Sequence, residues 1–346
     1  MSGIHSAFSF FEQHYADRLG VVKSINFSSL KHQASPPTLG QDLEQLLEAG
    51  LHEHSFILES DRLKPGNGPR IFHHGDQTED VIVLTHGYTD SPYYLQSVAL
   101  GFHKAGFNVV MPLLPAHGLR DLGEALEDKT LDQQWRNTID HAVDTAALLG
   151  KRISIGGFST GGALSVNKVL TDEKNQINGG LFLFSAAISV GYINEALTRL
   201  KFLQPIARII EGGIPGIGRD PFKYPGMSNA GGMEVAQIIN DNNRLLRDEK
   251  AQRKIAQPVF AAHSTHDKTA TLAGLMEFMK DHVERGVAIV ISHDVEHACL
   301  PLDRDIRLQD GEGELAYFPI ANPKFRWMMK GILEFVEREV RNHTND

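Results

Sequence analysis

Gly157-Phe158-Ser159-Thr160-Gly161 follows a short apolar run, Ile153-Ser154-Ile155, and leads into Ala163-Leu164-Ser165-Val166, which reads as a helix. A G-x-S-x-G between a strand and a helix has the form of a nucleophile elbow. The serine must sit on a turn so tight that its backbone is strained, and bulky flanking side chains would clash with the adjoining strand and helix, hence the glycines. The turn lifts Oγ clear of a sheet. It also leaves N–H groups at the helix start to meet developing negative charge. With 32 Gly in the chain, the five residues alone fit an ordinary glycine-rich turn equally well. Their chemistry depends on partners.

A serine hydroxyl at its ordinary pKa is a poor nucleophile; it needs a base, and the base needs an orienting acid. With an elbow serine the chain order is nucleophile, acid, histidine. The strand-like run Val259 to Ala262 is followed by Thr265-His266-Asp267-Lys268-Thr269-Ala270, which makes Asp267 the candidate acid. Its plainer role is capping a helix from Thr269 to Met279. Two histidines compete as base in Ser292-His293-Asp294-Val295-Glu296-His297-Ala298-Cys299. His293 stands at a strand end, where structural histidines are common, whereas His297 lies further out in the loop, where an imidazole can swing to Oγ; His297 is favoured on that position together with the family pattern given below. The pair at i, i+4 as metal ligands would need a helix and further ligands, so no metal is expected. Two N–H donors should meet the oxyanion: that of Thr160, after the nucleophile, and that of Tyr88 in Thr85-His86-Gly87-Tyr88-Thr89-Asp90-Ser91-Pro92, where Gly87 allows close approach. An ordinary β-to-α turn is the plainer reading of that loop. Cys299 reads as a packed thiol.

Elements that must hold these groups are legible around them. The chain has 346 residues, 41% hydrophobic and 22% charged, as in a soluble globular protein with a large core. Its formal net charge of -9 disfavours nucleic acid and anionic lipid as partners. A single cysteine excludes an intrachain disulfide. No signal peptide or run long enough for a membrane span is evident, so a cytoplasmic location is expected. After a hairpin, Ser55 to Glu59 and Arg70 to His73, apolar runs recur from Val81, Phe107, Ile153, Leu181, Val259 and Val287, separated by helical patterns. Strands apolar on both faces belong to a parallel sheet covered by helices. The expected fold is an α/β doubly wound sheet of about eight strands, with its site beyond the carboxyl ends. Residues 1–50 read as a helical extension, in which Phe8, Phe10, Phe11, Tyr15 and Leu19 fall near helical spacing. Residues 51–190 and 254–346 form the core. Residues 191–253 read as an inserted helical cap, because no clear strand interrupts them and they are too long for a bare loop. Gly212, Gly213, Gly216, Gly218, Gly231 and Gly232 serve there as hinges or plain turns.

Leu84 to Pro92, Pro112-Leu113-Leu114-Pro115-Ala116-His117-Gly118, Gly157 to Gly161, Asp267 and Glu296-His297 together resemble the α/β-hydrolase superfamily. More narrowly, they resemble its bacterial carboxylesterase and monoacylglycerol-lipase branch, from about Asp80 to Val340. This chain has Ala116-His117-Gly118 where that branch usually has Gly-His-Gly, and Asp90 where glycine is more frequent. The resemblance implies a Ser159-His297-Asp267 triad acting through an acyl-enzyme on a small-molecule ester with an apolar acyl group, without a cofactor. The same triad also serves thioesterases, amidases, lactonases and acyltransferases. A catalytically silent binding protein on the same fold is the alternative from another class.

Overall fold

The computed structural model describes residues 3–25, 27, 40–121, 125–188, 220–223, 229–247, 254–309, 315–317 and 320–342. The helices expected between Tyr192 and Gly218, with their four glycines, lie outside the described residues.

Among the described residues the main sheet has nine strands: β1 (Lys23–Ser24), β2 (Ser55–Glu59), β3 (Arg70–Phe72), β4 (Thr78–Thr85), β5 (Asn108–Met111), β6 (Gly150–Phe158), β7 (Leu181–Phe184), β8 (Val259–Ser264) and β9 (Gly286–Ile291). Their order is β1-β2-β3-β5-β4-β6-β7-β8-β9. The first four strands in that order pair antiparallel, and every pairing from β5 to β9 is parallel. This is the α/β-hydrolase fold. β10 (Arg307–Gln309) and β11 (Leu315–Tyr317) form a separate ribbon.

The continuous apolar runs divide by parity, because successive side chains point to opposite faces of a strand. Val81, Val83, Ile155, Leu181, Leu183, Val259 and Ala261 share one core with α1 (Gly3–Leu19), α4 (Leu131–Ala147), α5 (Thr160–Leu170) and α6 (Asn229–Leu246). Ile82, Leu84, Phe158, Phe182, Phe184 and Phe260 share the other with α2 (Gln41–Glu48), α3 (Gln96–Lys104) and α8 (Phe325–Phe335). α7 (Leu272–His282) completes the set before β9. Phe182 is enclosed by Phe102 at 4.9 Å and Phe335 at 5.9 Å, both edge-on, the geometry aromatic quadrupoles favour.

The N-terminal segment is built into this architecture. α1 buries Ile4, Ala7, Phe11, Tyr15 and Leu19, one face at steps of three and four residues, and packs on α4. Lys23 and Ser24 add a ninth strand against Glu59 and Leu58. Phe10, counted by its type in the sequence pattern, faces outward and stacks on His141 at 4.2 Å. Phe11 is fully buried, so Phe11→Ala should cost about 3–5 kcal/mol, measured by urea denaturation. A loss below about 1 kcal/mol would mark α1 as a dispensable appendage.

α6 also departs from the sequence expectation. Gly231 and Gly232 are not hinges or turns but part of its first turns, and both are buried. A Cβ on Gly231 would stand 2.0 Å from Tyr88 Oη. Close approach, not flexibility, is the reason for that glycine. Among the described residues no helix is long and apolar enough to cross a membrane.

Candidate active site

β6 ends at Phe158, α5 begins at Thr160, and Ser159 makes the turn between them with φ 52° and ψ −116°. That backbone is costly for any residue with a Cβ, on the order of 1–3 kcal/mol. It is pinned from both sides, since Ser159 N–H donates to Phe184 O at 3.0 Å and Ser159 O accepts from Ala187 N–H at 2.9 Å. The flanking glycines are forced by contact. A Cβ on Gly157 would lie 2.4 Å from Gly161 C, and one on Gly161 would lie 2.0 Å from Thr85 O. The pattern around the serine records how closely α5 approaches the end of β4.

The carboxyl ends of β8 and β9 deliver the partners. Asp267 lies past β8, with its side chain fully buried. Its Oδ1 accepts from Thr269 N–H at 2.8 Å and Ala270 N–H at 2.9 Å, which folds the loop and leaves Oδ2 for His297. The helix that follows is capped by Thr271, not Asp267. His297 opens a short 3-10 turn past β9. Its Nδ1 lies 2.7 Å from Asp267 Oδ2 and its Nε2 2.9 Å from Ser159 Oγ. Burial alone would raise the Asp267 carboxyl. The charge and hydrogen bond of His297, the Ala270 N–H and the charge of His263 outweigh it and hold the pKa at about 2. An ionised Oδ2 accepts, so Nδ1–H donates, and Nε2 is left to accept the Oγ–H of Ser159. His293 is exposed at the end of β9, outside this chain of bonds.

Thr160 opens α5, and a helix's first N–H groups have no acceptor within the helix. The loop of Tyr88 stands across from it, after β4. A Cβ on Gly87 would lie 2.5 Å from Asp90 Oδ2 and 2.9 Å from the Phe158 ring, so packing inside the loop already requires glycine there. Two buried histidines brace this loop, a role the sequence did not disclose. Leu114 N–H donates to His86 Nε2 at 3.1 Å, and His86 Nδ1–H donates to Gly87 O at 2.8 Å. Thr89 N–H donates to His117 Nε2 at 3.2 Å, and His117 Nδ1–H donates to Pro115 O at 2.8 Å. Both rings must be neutral to accept in this way. Burial, with the fields of His117 and Arg18, pushes His86 well below the ordinary value, and burial with the field of Arg18 pushes His117 down to about 4.

This has a pH consequence. Once unfolded, His117 binds a proton near its ordinary value of 6.5, whereas folded it does so only near 4. The unfolded chain therefore binds more protons in that window, and stability falls as pH drops through it. His117 should contribute a loss on the order of 3 kcal/mol between pH 7 and pH 4. Urea denaturation across this range should show a flatter pH slope for His117→Gln. Equal slopes would contradict it.

His263, within the β8 strand, was also missed. It is buried, bonds Ala270 O at 3.1 Å and stands 3.7 Å from Asp267 Oδ2, bracing the acid loop. Cys299 is buried, and burial raises its thiol to about 11, which leaves it unreactive. Among the described residues no group of three or more His, Cys, Asp or Glu is placed to hold a metal ion.

Residues 82–323 match the model of a family described as the Alpha/beta hydrolase family. A thermostable monoacylglycerol lipase of Bacillus sp. (strain H-257) is 26% identical over 117 residues, 34% of this chain and 44% of that protein. The chain thus aligns with less than half the length of that relative. A solved structure from work on LipS and LipT, two metagenome-derived lipolytic enzymes, is 17% identical with TM-score 0.57, covering 80% of this chain and 100% of that chain. A soluble variant of the monoglyceride lipase of Saccharomyces cerevisiae, in complex with a substrate analog, is 13% identical with TM-score 0.55, covering 80% of this chain and 93% of that chain. At these identities the structural likeness speaks to the fold.

Proposed function

The chain belongs to the alpha/beta hydrolase family, and on that premise we propose that it is a serine hydrolase of carboxylic esters. The observation that carries this reading is the chain of hydrogen bonds from Asp267 Oδ2 through His297 to Ser159 Oγ, at 2.7 Å and 2.9 Å, on a strained turn at the carboxyl edge of the sheet. Ser159 attacks the ester carbonyl as His297 Nε2 takes its proton. Asp267 fixes the tautomer and stabilises the imidazolium. The N–H groups of Tyr88 and Thr160 hold the tetrahedral oxyanion, each donor supplying on the order of 10²–10³ in rate. His297 passes the proton to the leaving alcohol, and water then releases the acyl group by the same steps reversed.

Residues 191–253 act as a cap over this edge in the same proposal. Its described part includes α6, held to the core by Asn242 Nδ2–H donating to Ala163 O at 2.8 Å and by the Arg136–Asp241 ion pair at 2.7 Å. The substrate is a small ester with an apolar acyl group, in keeping with the lipolytic relatives. A panel of p-nitrophenyl esters of rising chain length, with thioester and amide counterparts, tests the class. Ester turnover is expected to dominate. Turnover confined to amides or thioesters would replace the reading.

A further inference from the structure

Asp90 is a carboxylate buried inside the turn that presents Tyr88. It is 1% exposed, its N–H donates to Gly87 O at 3.2 Å, and its Oδ2 fills the space a Cβ on Gly87 would take, 2.5 Å away. A negative charge lodged against the Gly87–Tyr88 peptide opposes the anion that a donor there must stabilise, and a dry site screens it poorly. Among the described residues one cation answers it. Lys223 Nζ stands 2.8 Å from Asp90 Oδ1, an ion pair.

Lys223 comes from Asp220–Lys223, a segment remote in sequence that is anchored by several bonds. Asp220 accepts from Tyr94 Oη–H, and its Oδ1 accepts from Phe222 N–H at 2.8 Å. Phe222 stacks on Tyr93 at 3.6 Å, and Asn67 Nδ2–H donates to Pro221 O at 2.8 Å. The ammonium also lies 4.8 Å from the centre of the Tyr94 ring, within cation–π range. Such anchoring fixes the charge in place. Gly231 of α6 also packs against the Tyr88 side chain, where a Cβ would lie 2.0 Å from Oη. Both contacts come from residues 191–253.

Building on the ester-hydrolase reading, we propose that Lys223 is a positioning residue for the oxyanion donor: by neutralising buried Asp90 it lets the Tyr88 N–H face a developing negative charge. The cap is thereby coupled to catalytic competence through one ion pair. Removing the cation should harm the transition state far more than the bound substrate. Removing the carboxylate as well should undo much of that harm. A simple anchor has no such signature, because losing both partners leaves the anchor just as broken.

The experiment compares wild type, Lys223→Met, Lys223→Arg, Asp90→Asn and the double variant Asp90→Asn/Lys223→Met. It reads kcat and KM on a p-nitrophenyl ester, affinity for a trifluoromethyl ketone that forms a tetrahedral oxyanion on the enzyme, and amide hydrogen exchange over Tyr88–Asp90. Lys223→Met should lower kcat by about 10- to 100-fold with KM changed by less than about threefold, and should weaken ketone binding by the same factor as kcat. The double variant should recover at least about tenfold of that loss, and Lys223→Arg should stay within about fivefold of wild type. Equal losses in the single and double variants, or a loss in KM or melting temperature alone, would overturn the proposal and leave the hydrolase reading standing. Absence of ester turnover in the wild type would instead overturn that reading. Exchange then decides separately: faster exchange of the loop in Lys223→Met, reversed in the double variant, is expected, and unchanged exchange refutes the coupling.

Discussion

Ser159→Ala is expected to lower kcat for ester hydrolysis on the order of 10⁶-fold, with KM and melting temperature close to wild type. Covalent catalysis has no substitute here once Oγ is gone, because the nearest groups, His297 and the oxyanion donors, act only on an attacking atom. The residual rate, on the order of 10³-fold above the uncatalysed reaction, would come from the donors and substrate binding alone. The fold should tolerate the change. Alanine carries the same Cβ through the strained turn, and the bonds that pin the turn, to Phe184 O and from Ala187 N–H, are made by the backbone. The check is steady-state kinetics beside thermal denaturation. A retained rate with an intact fold would remove Ser159 from the mechanism.

Asp267→Asn should have the second largest effect, a fall in kcat on the order of 10⁴-fold. An asparagine can keep Oδ1 as acceptor for Thr269 and Ala270 N–H, so the loop remains folded. Its amide would then donate towards His297 Nδ1, which forces the proton onto Nε2. An Nε2–H cannot accept the proton of Ser159 Oγ, so the base is lost without loss of shape. Because the three groups work as a unit, Ser159→Ala/Asp267→Asn should be no slower than Ser159→Ala alone. Additive losses in the double variant would show that Asp267 does not act through His297 and Ser159.

More of the candidate site than of its surroundings was legible in the sequence, for physical reasons. Ser159 and Asp267 each follow a buried apolar strand, and His297 follows the apolar run of the half-exposed edge strand β9; such runs are the strongest local signal a parallel sheet leaves. The glycines at Gly157 and Gly161 were legible because no other residue fits against Thr85 O and Gly161 C. Elsewhere local pattern misled. Phe10 falls near the helical spacing with Phe8, Phe11, Tyr15 and Leu19, yet the buried face of α1 runs through Ile4 and Ala7 and leaves it outward. β1 has only two residues and exists through pairing with Leu58 and Glu59, which leaves no pattern in the chain. Gly231-Gly232 suggested a break because glycine is a poor helix former, but packing against Tyr88 outweighs propensity. The acceptor roles of His86 and His117, and the pairing of Lys223 with Asp90, depend on residues brought together only by folding.

The central claim is that Ser159 is a nucleophile activated through His297. The most direct measurement is reaction of the purified protein with a fluorophosphonate, read by intact mass and peptide mapping, in wild type, Ser159→Ala and His297→Gln. The expected result is one phosphonyl adduct per chain, mapped to Ser159, absent in Ser159→Ala and slowed on the order of 10³-fold or more in His297→Gln. No adduct on the folded wild type, an adduct on another residue, or equal labelling rates in wild type and His297→Gln would contradict it.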